Sequence, residues 1–273
     1  MRKRIVIFFL FFSFLFILSC NEKKVLRMAT TSSLENCGLF EVLLPAFEKK
    51  SGIKVHYQAV GTGQAIRLAK DGNCDFLFIH DKEAAEEFVK LGFGKERYEI
   101  MKNYFIFLGP PQFKEELNGK DLCSILQYIS VNNLLFASRG DESGTHLKEK
   151  KLWKECKIEK MTDNYFETGS NMITTLRIAA EKGYFTISDS ATYFSHKKEL
   201  NLEIYSEKSL KLLNIYYIIL MNPQKFPSTK TKEAKEFVNF LTKGEGKNIL
   251  MNYGRKKYNF PLFEPLASVE EEN

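Results

Sequence analysis

The chain has no apolar run long enough to span a bilayer as a helix. Its longest, residues 5–18, is fourteen residues interrupted by Ser13, against about 20 for a span. Cysteine is scarce and wrongly spaced for metal work: no Cys-x-x-Cys pair exists, which excludes zinc-ribbon and thioredoxin-like chemistry. Histidine is scarcer still. His56, His80, His146 and His196 are scattered, and no His-Glu-x-x-His pattern is present to hold a catalytic metal. Also missing is a clustered basic face with interleaved aromatics, the footprint of a nucleic-acid binder. Lysines instead alternate with glutamates, as in Glu48-Lys49-Lys50 and Glu149-Lys150-Lys151, which is how solvated helix faces read. Core material, by contrast, is plentiful. Of 273 residues 44% are apolar and 27% charged, so the chain buries a full core in one or two globular domains and is neither disordered nor a multi-span membrane protein.

The short apolar run has a function of its own. Arg2, Lys3 and Arg4 precede it and Ser19-Cys20 ends it, the basic front and small-residue end of an export signal. Ser19-Cys20 resembles a lipoprotein processing site. Residues 1–19 are then a signal peptide, and Cys20 becomes the first residue, lipid-anchored to the membrane at the periplasm or cell surface. Their removal takes away three basic charges and lowers the formal charge from +6 to +3, so the basicity of the whole chain says little about partners. Cys37, Cys74, Cys123 and Cys156 remain in a chain that leaves the reducing cytoplasm, and their spacing leaves the pairing open.

From residue 25 onward, strands and helices alternate. Expected are strands over 25–30, 53–60 and 76–79, and helices over 38–50, 63–70 and 82–91, with Ser51-Gly52 as a helix stop. This βαβαβα series implies a parallel sheet with right-handed crossovers. An extended segment at 104–108 leads into a second series: helices over 119–131, 145–156 and 171–181, and strands over 134–138 and 184–187. A strand over 213–221 leads out of it, followed by helices over 231–242 and 246–253. The expected architecture is α/β and two-lobed, each lobe a mixed, mostly parallel sheet with flanking helices and a ligand cleft between them. Residues 20–107 and 213–273 form the first lobe, and residues 108–212 are inserted as the second.

In open α/β sheets ligands sit beyond the carboxyl ends of strands. Three loops there are rich in hydroxyl or glycine: Thr30-Thr31-Ser32-Ser33, Gly61-Thr62-Gly63-Gln64 and Ser138-Arg139-Gly140-Asp141-Glu142-Ser143-Gly144-Thr145-His146. Serine and threonine most often merely cap helices. Three such loops at equivalent places, each opening a helix, instead suit an oxyanion, which takes O–H donors, close backbone N–H groups and helix N-termini. Arg139 lies in the third loop and Arg177 follows Thr174-Thr175; two arginines would match a dianion.

Taken in order, Thr30-Thr31-Ser32-Ser33 with Asn36-Cys37-Gly38-Leu39, Leu44-Pro45, Ala59-Val60-Gly61-Thr62-Gly63-Gln64-Ala65, Ser138-Arg139-Gly140-Asp141 with Ser143-Gly144-Thr145-His146, Leu152-Trp153, Thr175-Leu176-Arg177 and Leu262-Phe263 resemble the tungstate-binding proteins of bacterial ABC importers. The resemblance implies the hinged type II fold of the periplasmic molybdate, sulfate and phosphate receptors. It also implies a monomer that captures tungstate, without a cofactor, and delivers it to an ABC permease and its ATPase. Carried over by position, Thr30, Thr31 and Ser32 match the family's first hydroxyl motif, Thr62 and Gly63 the second, Arg139 with Ser143, Gly144 and Thr145 the third, and Arg177 the second arginine. Leu34, Cys37, Asn171 and Ser190 depart from the pattern, Ser190 standing where an arginine is frequent.

A fully deprotonated tetrahedral oxyanion offers acceptors only, so a site of pure donors fits it. Protonated phosphate would instead profit from a carboxylate, which makes Asp141 and Glu142 residues to locate; turn chemistry favours Asp141 as a brace for its own loop. Molybdate, phosphate or another oxyanion is the alternative ligand. A hydrolase using Ser143 and His146 is the distant alternative, and the start of a helix is capping geometry rather than that of a nucleophile and base.

Overall fold

The computed structural model describes residues 24–159 and 164–266; Cys20 with its leader and the tail from Ser268 lie outside the described residues. The parallel series is present. β1 (Val25–Thr31) is followed by a short helix α1 (Ser32–Asn36), then α2 (Leu39–Ser51), β2 (Lys54–Val60), α3 (Thr62–Lys70), β3 (Phe76–Ile79) and α4 (Lys82–Lys90). β1 pairs in parallel with both β2 and β3. The local causes are plain. All four residues of β3 are buried, so it reads as an unbroken apolar run. α2 buries Leu39, Phe40, Leu43 and Phe47 on one face, and it stops at Gly52, whose φ of 72° lets its N–H turn back to Glu48 O.

β4 (Gly94–Gly109) is longer than its sequence suggests. Its apolar second half is the expected extended segment, whereas residues 96–99 are only half-buried and carry no apolar run. This strand joins the two halves of the molecule. Up to Tyr104 it pairs antiparallel with β9 (Leu213–Met221), which also pairs antiparallel with β3, giving the sheet order β10-β4-β9-β3-β1-β2 with β10 (Glu264–Pro265) at the edge. From Phe105 onward β4 pairs with β7 (Thr186–Asp189) and then β8 (Glu203–Ile204). β5 (Phe136–Ser138) and β6 (Tyr165–Glu167) form a parallel pair tied to this second sheet by the bridge between Phe136 and Phe185. Around it lie α5 (Lys114–Leu117), α6 (Leu122–Val131), α7 (Gly144–Glu155), α8 (Met172–Lys182) and α9 (Ser190–His196). α10 (Thr231–Thr242), α11 (Glu245–Asn252) and α12 (Arg255–Tyr258) return to the first sheet.

The fold is two-lobed α/β, with mixed sheets whose parallel parts are the β1–β3 and β5–β6 units and whose antiparallel parts involve the crossing strands β4 and β9. Each side has its own core. Phe47, Phe76 and Phe237 pack in one, with ring centroids 4.9 and 5.4 Å apart, and Phe107, Phe136 and Trp153 pack in the other at 5.8 and 5.4 Å. Burying each such ring contributes about 1.5–3 kcal/mol. The cysteines resolve in the second core's shell: Cys123 and Cys156 form a disulfide that ties α6 to the end of α7, while Cys37 and Cys74 are buried free thiols.

Candidate functional site

β1 lies between β2 and β3, so the strand order reverses direction at β1, and the carboxyl ends of these strands open a crevice. Thr31 ends β1 and Ser32 and Ser33 follow it, Gly61-Thr62-Gly63 follow β2, and His80 follows β3. The second lobe brings the loop between β5 and α7 to meet them. A Cβ added to Gly61 would stand 3.7 Å from Asp141 O and 3.9 Å from Ser143 Cα. One added to Gly144 would stand 2.7 Å from His80 Cε1, so only glycine fits at the first residue of α7. The second and third sequence motifs are therefore in contact across the lobes.

Two helix N-termini thus face each other, those of α3 and α7. Thr62 opens α3 and is fully buried; Thr145 is the second residue of α7 and is 1% exposed. Neither Oγ1 has a hydrogen-bond partner among the described residues. Such hydroxyls, beside the free N–H groups of two first turns, form a donor-rich pocket for an acceptor-rich anion. Ser143 does cap: its Oγ accepts from the His146 N–H at 3.4 Å. In the first motif Thr31 Oγ1 and Ser33 Oγ share one hydrogen bond of 3.1 Å, which leaves one of their two protons to donate elsewhere.

Arg139 supplies the positive charge. It is 4% exposed, its Nε donates to Ser170 O at 3.3 Å, and its Nη2 donates to Asp141 Oδ2 at 2.5 Å. A guanidinium has five N–H donors, so most of the fork remains available. Burial works against this charge, and Asp141 followed by Asp189 supports it. Asp141 also accepts from the Ser143 N–H at 3.2 Å, so it braces its loop as turn chemistry suggested; Glu142 is exposed.

A family model described as a PBP superfamily domain matches residues 21–245. The tungstate-binding protein TupA of Peptoclostridium acidaminophilum is 42% identical over 245 residues, covering 88% of this chain and 85% of the relative. The chain belongs to the TupA family. Solved structures match as well: the TupA protein from Desulfovibrio alaskensis G20 is 36% identical with a TM-score of 0.77, covering 89% of this chain and 99% of that one. A structure described as the tungstate ABC transporter from Geobacter sulfurreducens is 37% identical, also with a TM-score of 0.77, covering 84% and 98%.

Two of the residues expected from the TupA-family resemblance do not join the pocket. Thr30 is fully buried, but its Oγ1 donates to Phe78 O at 2.8 Å and ties β1 to β3, so it has no proton to offer a ligand. Arg177 lies on the solvent face of α8 and pairs with Glu199 at 3.0 Å, its side chain 54% exposed. The cause is helical phase: Met172, Thr175, Leu176 and Ala179 face inward, and the position two after Thr175 cannot. Thr175 is the α8 residue that reaches the site's surroundings, its Oγ1 2.8 Å from Thr168 Oγ1 in the loop that holds Arg139. Arg177→Ala is expected to leave ligand affinity unchanged within about twofold and thermal stability within about 0.5 kcal/mol, as for an exposed ion pair. A titration on the variant checks this.

Two further buried residues beside this candidate site, His80 and Asp189, carry no motif in the sequence. His80 packs beside Tyr216, ring centroids 5.1 Å apart and tilted, and its Nδ1 lies 2.9 Å from Asn214 Oδ1, while Asn214 Nδ2 donates to Asn103 Oδ1 at 2.7 Å. Burial lowers its pKa to about 4 against the opposing pull of Asp189, so the ring is neutral at pH 7. Asp189, at the end of β7, is fully buried; one carboxylate oxygen caps α9 through the Thr192 N–H and the other has no partner among the described residues. The available signal was positional. His80 follows a strand directly, and Asp189 stands three residues before Thr192 at a helix start.

Proposed function

We propose that this chain is the extracytoplasmic receptor of an ABC importer and that its ligand is tungstate, held between the lobes by hydroxyl, backbone N–H and guanidinium donors. The observation that carries this is the pair of buried hydroxyls of Thr62 and Thr145, without partners among the described residues, at helix N-termini that face each other. Each costs about 1–3 kcal/mol while unpaired. That cost is offset by a ligand offering several acceptors at once, and a fully deprotonated tetrahedral dianion does so from every vertex. Thr31, Ser32, Thr62, Gly63, Arg139, Ser143, Gly144 and Thr145 make up the proposed ligand shell, with Ser33 added and Thr30 and Arg177 removed. A smaller oxyanion such as sulfate leaves donors unpaired, which favours the larger ones.

The ligand bridges two sets of donors, so it stabilises the closed form by its differential affinity for that form. An ABC permease reads the closure and its ATPase drives uptake. Residues 20–107 and 213–273 move as one lobe against 108–212, and Cys20 carries the lipid anchor. The role is binding rather than catalysis. Ser143 Oγ is occupied as a cap, and His146 Nδ1 accepts from the Glu142 N–H at 3.1 Å, which is loop bracing. No cofactor is invoked.

One observation favours a second ligand, phosphate: the Asp189 carboxylate oxygen that has no partner among the described residues could accept from a protonated oxyanion. Titration calorimetry on the full chain in mild detergent separates the two. One tungstate per chain, bound far more tightly than phosphate or sulfate, is the expected result. Tight phosphate binding with no heat from tungstate overturns the proposal.

A further inference from the structure

A second concavity, of about 320 Å3, lies between the lobes on the His80 side of the pocket. His80 and Gly144 line it and are in contact with each other, so the cavity reaches both the imidazole and the first residue of α7. The charges around it are unevenly paired. Asp81 caps α4 by accepting from the Ala84 N–H, Lys82 pairs with Glu86 at 3.9 Å, and Lys151 pairs with Glu83 across the lobes. Lys148 remains. Its ammonium is half-buried, and no carboxylate of the described residues lies within ion-pair distance of it.

Burial, the largest influence, disfavours the Lys148 charge; Glu155 attracts it, Lys151 one turn further along α7 repels it, Glu83 attracts it more weakly, and the balance stands against the charged form. Lys148 is also the fifth residue of α7, near the positive end of the helix macrodipole. A structural lysine placed this badly would gain from being glutamine. An incoming anion offsets the burial penalty, and His80 on the cavity wall is held uncharged, so it does not compete for that anion.

We propose that this cavity is an outer anion site, with Lys148 as its capture residue, through which a small divalent oxyanion passes to the buried donors of Thr62 and Thr145. The proposal rests on the tungstate reading above. In it the pair between Lys151 and Glu83 spans the mouth and closes it behind the ligand, and the anion passes inward beside His80 and the first turn of α7.

Stopped-flow mixing of the full chain with sodium tungstate, followed by the fluorescence of Trp153 on α7, tests this. Lys148→Gln is expected to slow association by about three- to tenfold at low ionic strength, with the difference shrinking as salt is raised. Dissociation should stay within twofold of the unaltered chain, Lys148→Arg should restore the association rate, and the charge-matched Lys50→Gln on α2 should have no effect. Unchanged association in Lys148→Gln overturns the outer site. So does an affinity loss carried wholly by faster dissociation, which would place Lys148 among the inner ligands. Failure of the unaltered chain to bind tungstate at all would remove the ligand reading and the outer site together, whereas normal binding with an indifferent Lys148 removes the outer site alone.

Discussion

Replacing Arg139 with alanine is expected to weaken tungstate binding by at least about a hundredfold while leaving a folded protein. At about 4 Å and an effective dielectric near 20, one unit charge pair gives roughly 4 kcal/mol before desolvation. Arg139 is already desolvated in the free protein, at 4% exposure, so most of that cost is met before the ligand arrives. Net loss of about 3 kcal/mol, or about two orders of magnitude in affinity, follows even if a quarter of the Coulomb energy is cancelled. With Arg177 on the solvent face, no second arginine of the expected pair shares the load. The structural cost is smaller. Asp141 loses its guanidinium partner but is itself 21% exposed and retains the Ser143 N–H, and Ser170 O loses one donor at 3.3 Å. A stability loss of about 1–2 kcal/mol is the scale for such bonds. Calorimetry and ligand-free thermal unfolding on the same preparation separate the two effects. Tungstate affinity within tenfold of the unaltered chain would remove Arg139 from the site.

Much of this arrangement was legible from residue order alone, for physical reasons that also explain the errors. β1, β2 and the helices after them end on Gly or on hydroxyl turns, β3 is an unbroken apolar run, and their spans agree with the structure to within a residue or two. β9 is likewise apolar throughout and coincides with its expected range. The first half of β4 has no such signal, because its side chains at 96–99 are half-exposed and charged or polar. Arg177 was misplaced because sequence adjacency in Thr175-Leu176-Arg177 ignores phase: two positions along a helix turn a side chain through about 200°. Thr30 was misplaced for a different reason. A hydroxyl at a strand end can serve a ligand or the neighbouring strand, and only the distance to Phe78 O decides which. His80 and Asp189 are single residues without a motif, and their role comes from where β3 and β7 end, which is a property of the assembled sheets. The disulfide between Cys123 and Cys156 is similar, since the packing of α6 against α7 selects it.

Thr62→Val and Thr145→Val make the sharpest test of a binding role, because binding and stability should move in opposite directions. Each substitution keeps the branched shape and removes a hydroxyl that is buried, at 0% and 1% exposure, without a partner among the described residues. In the free protein an unsatisfied polar group is replaced by a methyl group, so ligand-free stability is expected to be unchanged or to rise by up to about 1 kcal/mol in each variant. In the complex each loses a hydrogen bond to a charged acceptor, worth about 1.5–3 kcal/mol, so tungstate affinity should fall about ten- to a hundredfold per site. The two hydroxyls lie on opposite lobes, Thr62 on α3 and Thr145 on α7, and they meet only through the ligand. Free-protein stabilities should therefore add in the double variant, while affinity should drop by more than about a hundredfold. Thermal unfolding with and without tungstate reads all four numbers on one instrument. If both hydroxyls were ordinary helix-start residues satisfied by water, the valine variants would lose stability and keep their affinity. That pattern would dismantle the site at its central pair, whereas a more stable protein that has lost its ligand would establish that these two side chains are kept for binding.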